Sequence, residues 1–470
     1  MKFVDRDREI EILKGCKKLA ERKLYSVIVT GMRRVGKTRL IFECFKNDFL
    51  YFFVDKDKGI NQIVKEIEEE LKRKNIISEF YSLNKFEDVL KVIAENYKGV
   101  VVFDEFQDFY KIDRSVFGTF QKFFDLEENK KGILFVFSGS LIGLIKKLLS
   151  IKSPLYGRIK RKITLKPLDI KSVIEMCNIL KIKNFEDVLK LYFVFSGFPK
   201  YYVAIEDENL AGKNFERIIE RFFLEFDAVL EDEVERILSM EFGRRKSTYY
   251  ALLAAIAEGK TKLGEIASSL NLKLTSITRQ LKELVDFFEL VGIEKQVFGK
   301  KKAYFIKHPL ILFWFRFFYK YKSAYLKREK WWMEYFRKNL NAFFGLQFEK
   351  FIMEHLGLFI RADFTRIGRQ WGKIPKAEKG KNTYEIDIIA LDERRKKALV
   401  AECKWKERVN AEKVAKELEE KVGYVKELGN YKIEYGVFAK GFSKRVREFN
   451  GKKVYCFGLR ELAKVLRGKV

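Results

Sequence analysis

Residues 24–38 read LYSVIVTGMRRVGKT, and RLIFECF follows at 39–45. The apolar, β-branched run at 24–30 predicts a buried strand, and RLIFECF predicts a helix. Between them stands GxxxxGKT, a spacing with a mechanical reason. The two glycines let the backbone wrap closely, so that successive N–H groups point at phosphate oxygens. Lys37 is then placed to reach the terminal phosphates, and the Thr38 hydroxyl to hold magnesium. Gly31, Met32, Arg33, Arg34, Val35, Gly36, Lys37, Thr38 and Arg39 are therefore the expected contacts of a bound ATP.

A second strand supplies the other half of such a site. Residues 100–105 read VVVFDE, an apolar run that ends in two acids. Asp104 is the expected magnesium carboxylate, and Glu105 the group that polarises the attacking water. A third apolar run, ILFVFSG at 133–139, ends near Ser138, which puts a hydroxyl by the gamma-phosphate. Ser138 and Ser140 serve equally well as caps for the helix that follows.

These motifs resemble the archaeal ATPase family, a branch of the AAA+/STAND P-loop proteins. The matching stretches are FVDRDREIEIL at 3–13, GMRRVGKTRL at 31–40, VVFDEFQDF at 101–109 and SGSLIGLI at 138–145. SPLYGR at 153–158 and SGFPKYY at 196–202 complete the set. The resemblance implies that Asp5 and Arg6 stand at the adenine entrance. It also makes Arg158 a sensor or finger for developing phosphate charge, in cis or in trans, and Pro199 part of a lid. It covers residues 1 to about 235.

The chain has 470 residues, 95 Lys plus Arg against 66 Asp plus Glu, and a formal charge of +29. Such an excess favours a polyanionic partner such as DNA, although a lysine-rich solvated surface also produces it. Two histidines and five dispersed cysteines exclude a His-rich metal site and give no zinc-knuckle spacing. The charged first residues do not read as a signal peptide, and the longest apolar run, PLILFWF at 309–315, is too short to cross a bilayer. A reducing cytoplasm and no membrane span are expected.

Beyond an acidic helical connector at 206–240, three helices are expected at 248–258, 262–269 and 275–288, followed by short strands near 291–297 and 302–306. That order predicts a winged helix-turn-helix at 240–310. Ser276, Arg279 and Lys282 would face a DNA groove, and Lys300, Lys301 and Lys302 in the wing would meet phosphate. The aromatic stretch at 313–326, inside a connector spanning 311–340, is expected to pack domains together.

The last 130 residues carry a second constellation. A helix at 341–356 presents Glu349, EIDIIAL at 385–391 carries Asp387, and KALVAECK at 397–404 carries Glu402 and Lys404 on one side of a strand. Two carboxylates and a lysine among apolar residues can bind magnesium and activate water against a phosphodiester. Asp387, fourteen residues, then Glu402-Cys403-Lys404 resembles the PD-(D/E)xK nuclease superfamily, with Ile386 where that pattern has proline. Asp387 and Glu402 would be the metal ligands, and Glu349 the acid contributed by the first helix.

The expected fold class is thus α/β throughout its catalytic parts. A P-loop NTPase parallel sheet with helical lid occupies 1–235, a winged helix 240–310, and a restriction-endonuclease-like domain 341–470. The expected activity is ATP hydrolysis with magnesium, coupled to action on DNA and to metal-dependent DNA cleavage. The alternative is a STAND-type switch whose winged helix and C-terminal domain bind a protein without cutting. Assembly into a homo-oligomer is left open.

Overall fold

In the computed structural model, the residues described are 1–46, 48–242, 246–374, 377–378 and 382–468. The opening stretch forms strand β1 (Tyr25–Gly31), buried along nearly its whole length. Four more strands join it: β2 (Leu50–Phe53), β3 (Gly99–Asp104), β4 (Ile133–Gly139) and β5 (Arg161–Leu165). Their order is β2-β3-β4-β1-β5, all parallel. Helices cover a parallel sheet on both faces, which is why its strands read as unbroken apolar runs rather than alternating ones. One face carries a phenylalanine-rich core that includes Phe103, Phe106, Phe120, Phe135 and Phe137. The β4 strand lies between β1 and β3, so the loop after β1 and the acids after β3 flank its end.

The chain divides into two units. The first comprises Met1–Leu168, Gly197–Ala204 and Asp286–Glu289. The second comprises Asp169–Ser196, Ile205–Val285 and Leu290–Val470. Residues 169–196 and 205–235, expected to belong with the ATPase, thus lie in the second unit. In the first unit, Glu289 forms an ion pair with Lys146 on the helix Ile142–Leu148.

The second unit contains helices Lys246–Ala257, Leu263–Ser269 and Leu274–Asp286, then the antiparallel hairpin of β6 (Val291–Lys295) and β7 (Lys302–Ile306). Ile277, Leu281 and Leu284 bury one stripe of the third helix, while Ser276, Arg279 and Lys282 are exposed on the other. The aromatic stretch packs inward: Phe313, Phe315, Phe317 and Phe318 are all buried. A long helix, Lys330–Phe359, follows, extending well beyond the expected 341–356.

A six-stranded mixed sheet closes the unit. It runs Glu448–Phe449, Lys452–Phe457, Lys432–Ala439, β10 (Lys397–Lys404), β9 (Thr383–Asp392) and β8 (Arg366–Lys373). Helix Ala411–Val422 packs on one face through Val414, Ala415 and Leu418. The tip of the β6–β7 hairpin is tied to β8. The Val297 N–H donates to the Arg369 carbonyl at 3.2 Å. The Gln370 amide receives from Phe298 N–H at 2.9 Å and donates to the Phe298 carbonyl at 3.1 Å. Val297 enters the same core as Ile386 and Val400. An exposed sheet edge invites unwanted pairing, and here the hairpin tip occupies part of the β8 edge. Among the described residues, no helix is long and apolar enough to cross a membrane.

Candidate functional site

The first site forms where β1 gives way to helix Lys37–Phe45. A Cβ on Gly31 would lie 2.6 Å from the Leu165 carbonyl oxygen, so only glycine permits this approach of loop and β5. Gly36 stands at φ +96°, a left-handed conformation suited to glycine, immediately before the helix. Lys37 is buried, and its Nζ donates to the carbonyls of Gly31 and Met32 at 3.1 and 3.2 Å. Its ammonium therefore lies over the loop that carries it.

Thr38 Oγ1 donates to Asp104 Oδ2 at 2.7 Å. The same oxygen receives a second hydrogen bond, at 2.9 Å, from Tyr51 Oη on β2. Burial, then the adjacent Asp104 charge, pushes the Tyr51 phenol far above its usual range, leaving it a neutral donor. Hydroxyl and carboxylate oxygens are the hard ligands magnesium takes, so Thr38 and Asp104 fit that ion. Tyr51 was not a sequence candidate. Its register opposite Val102, two residues before Asp104, becomes visible only once β2 and β3 are paired.

Glu105 adopts a left-handed backbone, φ +52°. Its carboxylate is held by Arg33 Nη1 at 3.3 Å, by the Ser140 hydroxyl at 2.8 Å, and by the Gln107 amide. The hydroxyl that reaches this acid is thus that of Ser140, whereas Ser138 is buried in the ladder opposite Val29. Three residues after Glu105, burial and then the Glu105 charge push the Asp108 carboxyl up to about 6.

The remaining expected contacts divide. Asp5 and Arg6 both take left-handed backbones before helix Asp7–Ala20. Arg6 Nη2 donates to the Lys166 carbonyl at 2.6 Å and lies 3.5 Å from that of Val35, which binds the N-terminal segment to the phosphate loop. Pro199 lies against Gly36, its Cγ 4.0 Å from where a Cβ would be. Arg39 turns outward to an exposed pair with Glu43. Arg158 does not stand beside the loop of its own chain. Its carbonyl accepts from Ser26, five residues before Gly31, so it lies about 16 Å away along β1. Its guanidinium makes a two-pronged pair with Asp125 at 2.9 and 2.7 Å.

The second site lies in the other unit. The β9–β10 ladder runs from Lys397 opposite Asp392 to Ala401 opposite Ile388, and there it stops. Both strands continue past that point unpaired with each other. Asp387 and Glu402–Lys404 are the first residues of the gap, and the Cys403 N–H bridges it to Asp387 Oδ2 at 2.9 Å. Glu402 is 1% exposed. Lys404 and, at 2.6 Å, Lys421 both pair with it. Glu349 comes from helix Lys330–Phe359, with Arg369 at 3.8 Å. Burial and then the Asp387 charge raise the Glu349 carboxyl, while burial and then the Glu402 charge raise that of Asp387. The four expected residues therefore share one electrostatic neighbourhood. The carboxylates are oxygen donors of the kind magnesium takes, although Glu402 is already neutralised by two lysines. Among the described residues, no three His, Cys, Asp or Glu side chains are grouped closely enough to form a ready metal cage.

Residues 3–205 match a family described as an ATPase domain predominantly from Archaea. Residues 314–416 match one described as Archaea bacterial proteins of unknown function. An uncharacterized protein of Methanocaldococcus jannaschii is 29% identical over 420 residues, covering 86% of this chain and 88% of its own. Among solved structures, a Walker-type ATPase of Pyrococcus abyssi is similar at TM-score 0.52 and 20% identity, over 67% of this chain and 96% of its own. The Aeropyrum pernix ORC2 protein, solved in ADPNP and ADP complexes, is similar at TM-score 0.50 and 16% identity, over 69% and 95%. The N-terminal module is thus similar to archaeal ATPase domains over residues 3–205 and shares the parallel α/β fold of these solved structures.

Proposed function

We propose that this ATPase domain hydrolyses ATP to control a C-terminal domain that cleaves DNA with the help of a divalent metal. The observation that carries the DNA reading is the gap between β9 and β10, where Asp387, Glu402 and Lys404 meet Glu349 from the long helix. Three helices and a hairpin next to it are read as a winged helix, and the +29 charge suits a polyanionic substrate.

In the ATPase site, Lys37 would neutralise terminal-phosphate charge, and Thr38 and Asp104 would hold magnesium, with Tyr51 fixing the carboxylate. Glu105 accepts a proton from the attacking water once Arg33 and Ser140 release it. In the C-terminal site, Asp387 and Glu402 would hold a divalent ion, which supplies Lewis acidity at the phosphodiester. There Lys404 orients the attacking water and balances the charge of the carboxylates. Glu349, raised by burial, can carry a proton near neutral pH.

A second reading is favoured by the double lysine pairing of Glu402: a restriction-like domain that binds without cutting, driven as an ATP switch. Labelled linear, branched and single-stranded DNA, incubated with magnesium or manganese with and without ATP, separates the two. Cutting that disappears in Asp387→Ala supports the nuclease; DNA binding without cutting supports a DNA-binding ATPase whose restriction-like domain is structural, and neither cutting nor binding supports a switch that docks a protein partner. Lys37→Ala should abolish ATP turnover and leave DNA binding intact, and unchanged turnover would refute the ATPase assignment.

A further inference from the structure

The β6–β7 hairpin, helix Lys330–Phe359 and strands β8 and β9 enclose a cleft of about 1190 Å³. Glu349 and Asp387 lie in its wall. The hairpin forms a fixed roof: Gln370 clamps the Phe298 backbone from both sides, and Gln296 donates to the Trp371 carbonyl. Gln370 and Gln296 are both buried, so the bonds they make are partly shielded from competing water.

The lining combines rings with an excess of cations, eight Lys and Arg against five Asp and Glu. Lys295 and Lys301 border the cleft and are exposed, and among the described residues neither pairs with a carboxylate. Lys350 lies 5.1 Å from the Phe305 ring centroid, so a cation and an aromatic face share one wall. Trp371 lines the cleft too, and its indole N–H is shut off from solvent with no acceptor among the described residues. A positive groove with aromatic faces is how single strands of nucleic acid are held without regard to sequence. The volume exceeds that of ordinary small-molecule pockets, about 300–1,000 Å³. It suits a few unstacked nucleotides, which need less room than a duplex with both strands intact.

We propose that this cleft takes single-stranded DNA, a free end or a flap, and leads its backbone to Glu349 and Asp387. The proposal rests on the C-terminal domain acting on DNA and names the form of DNA it accepts. The roof gives the hairpin a role other than insertion into a duplex groove.

The test uses the full-length protein carrying Asp387→Asn, in EDTA, so that binding is measured without cutting. A fluorescent single-stranded oligonucleotide is titrated in, with closed circular duplex as competitor. Single strand should bind better than closed duplex. Lys295→Ala with Lys301→Ala should weaken the oligonucleotide about tenfold and reduce the slope of log affinity against log salt by about 1.4, roughly 0.7 for each lost phosphate contact. Trp371→Ala should weaken binding by a similar factor with little change in that slope. Unaltered thermal melting and ATP turnover establish that the variants fold. Equal competition by closed duplex, or oligonucleotide affinity unchanged in both cleft variants, overturns the proposal. Cutting with manganese, measured separately on the parent protein, distinguishes the two readings. Cleft-dependent binding without any cutting removes the nuclease and keeps the cleft. Cutting of closed duplex that the cleft variants do not affect keeps the nuclease and removes the cleft.

Discussion

Asp104 shows how much one oxygen can be asked to do. Its Oδ2 accepts from both Thr38 and Tyr51. Tyr51 touches no expected substrate atom, so it acts through Asp104 by fixing the carboxylate's orientation. A hydrogen bond to a charged group contributes about 1.5–3 kcal/mol. Tyr51→Phe should therefore raise the magnesium concentration needed for half-maximal ATP turnover by about tenfold, with little change in nucleotide binding measured in EDTA. An unchanged magnesium requirement would make the bond incidental. Asp108 gives a pH test. Its folded-state carboxyl is raised to about 6 from an ordinary value of 3.8, so the folded protein holds a proton the unfolded chain has lost across that interval. Stability falls as pH rises through this window, and the full penalty is in force at pH 7. Asp108→Asn should raise stability at pH 7 by on the order of 1 kcal/mol and change little near pH 4, read from thermal melts at both values. Lys37, Thr38 and Asp104 were legible in the sequence because loop spacing and strand-end acids are local patterns. Tyr51, Ser140 and the Asp125 partner of Arg158 were not, because each depends on which strand or helix lies beside which.

At the scale of elements, the hairpin is the informative case. Its two strands and basic turn are local signals, and the expected positions, 291–297 and 302–306, lie close to β6 and β7. Its attachment to β8 is not local: Gln370 stands 72 residues from Phe298. Nothing in the alternation of a short strand indicates which edge it will meet. Gln370→Ala would leave the half-buried Phe298 N–H and carbonyl without their partner, at a cost of about 1 kcal/mol for each group. Amide exchange around 296–301 should accelerate, while β1 keeps its protection. Uniform acceleration across both units would contradict a local clamp. The stretch 313–318 makes a similar point. Its aromatic rings could have faced bases or core, and burial of four phenylalanines assigns them to the core. The C-terminal constellation of Glu349, Asp387, Glu402 and Lys404 was half legible: the residue types and their alternation were readable, but the place where the β9–β10 ladder ends was not.

At the scale of the whole molecule, the position of Arg158 bears on assembly. Within one chain it lies at the opposite end of β1 from the phosphate loop and pairs with Asp125, so it is not placed to touch nucleotide bound to its own chain. Turnover per molecule of Arg158→Ala protein should match the parent at the lowest concentrations assayed. A loss there would mean the arginine reaches phosphate in cis. The two units are also threaded through each other in sequence. The ATPase unit takes Gly197–Ala204 and Asp286–Glu289 from stretches whose neighbours belong to the other unit. During synthesis, then, the ribosome has released all five strands of the parallel sheet more than a hundred residues before Glu289 emerges to meet Lys146. The nascent ATPase must wait for its last piece while much of its companion is already outside the exit tunnel. A stalled or truncated message ending near residue 235 would yield a sheet with every catalytic side chain present and one of its ion pairs unmade.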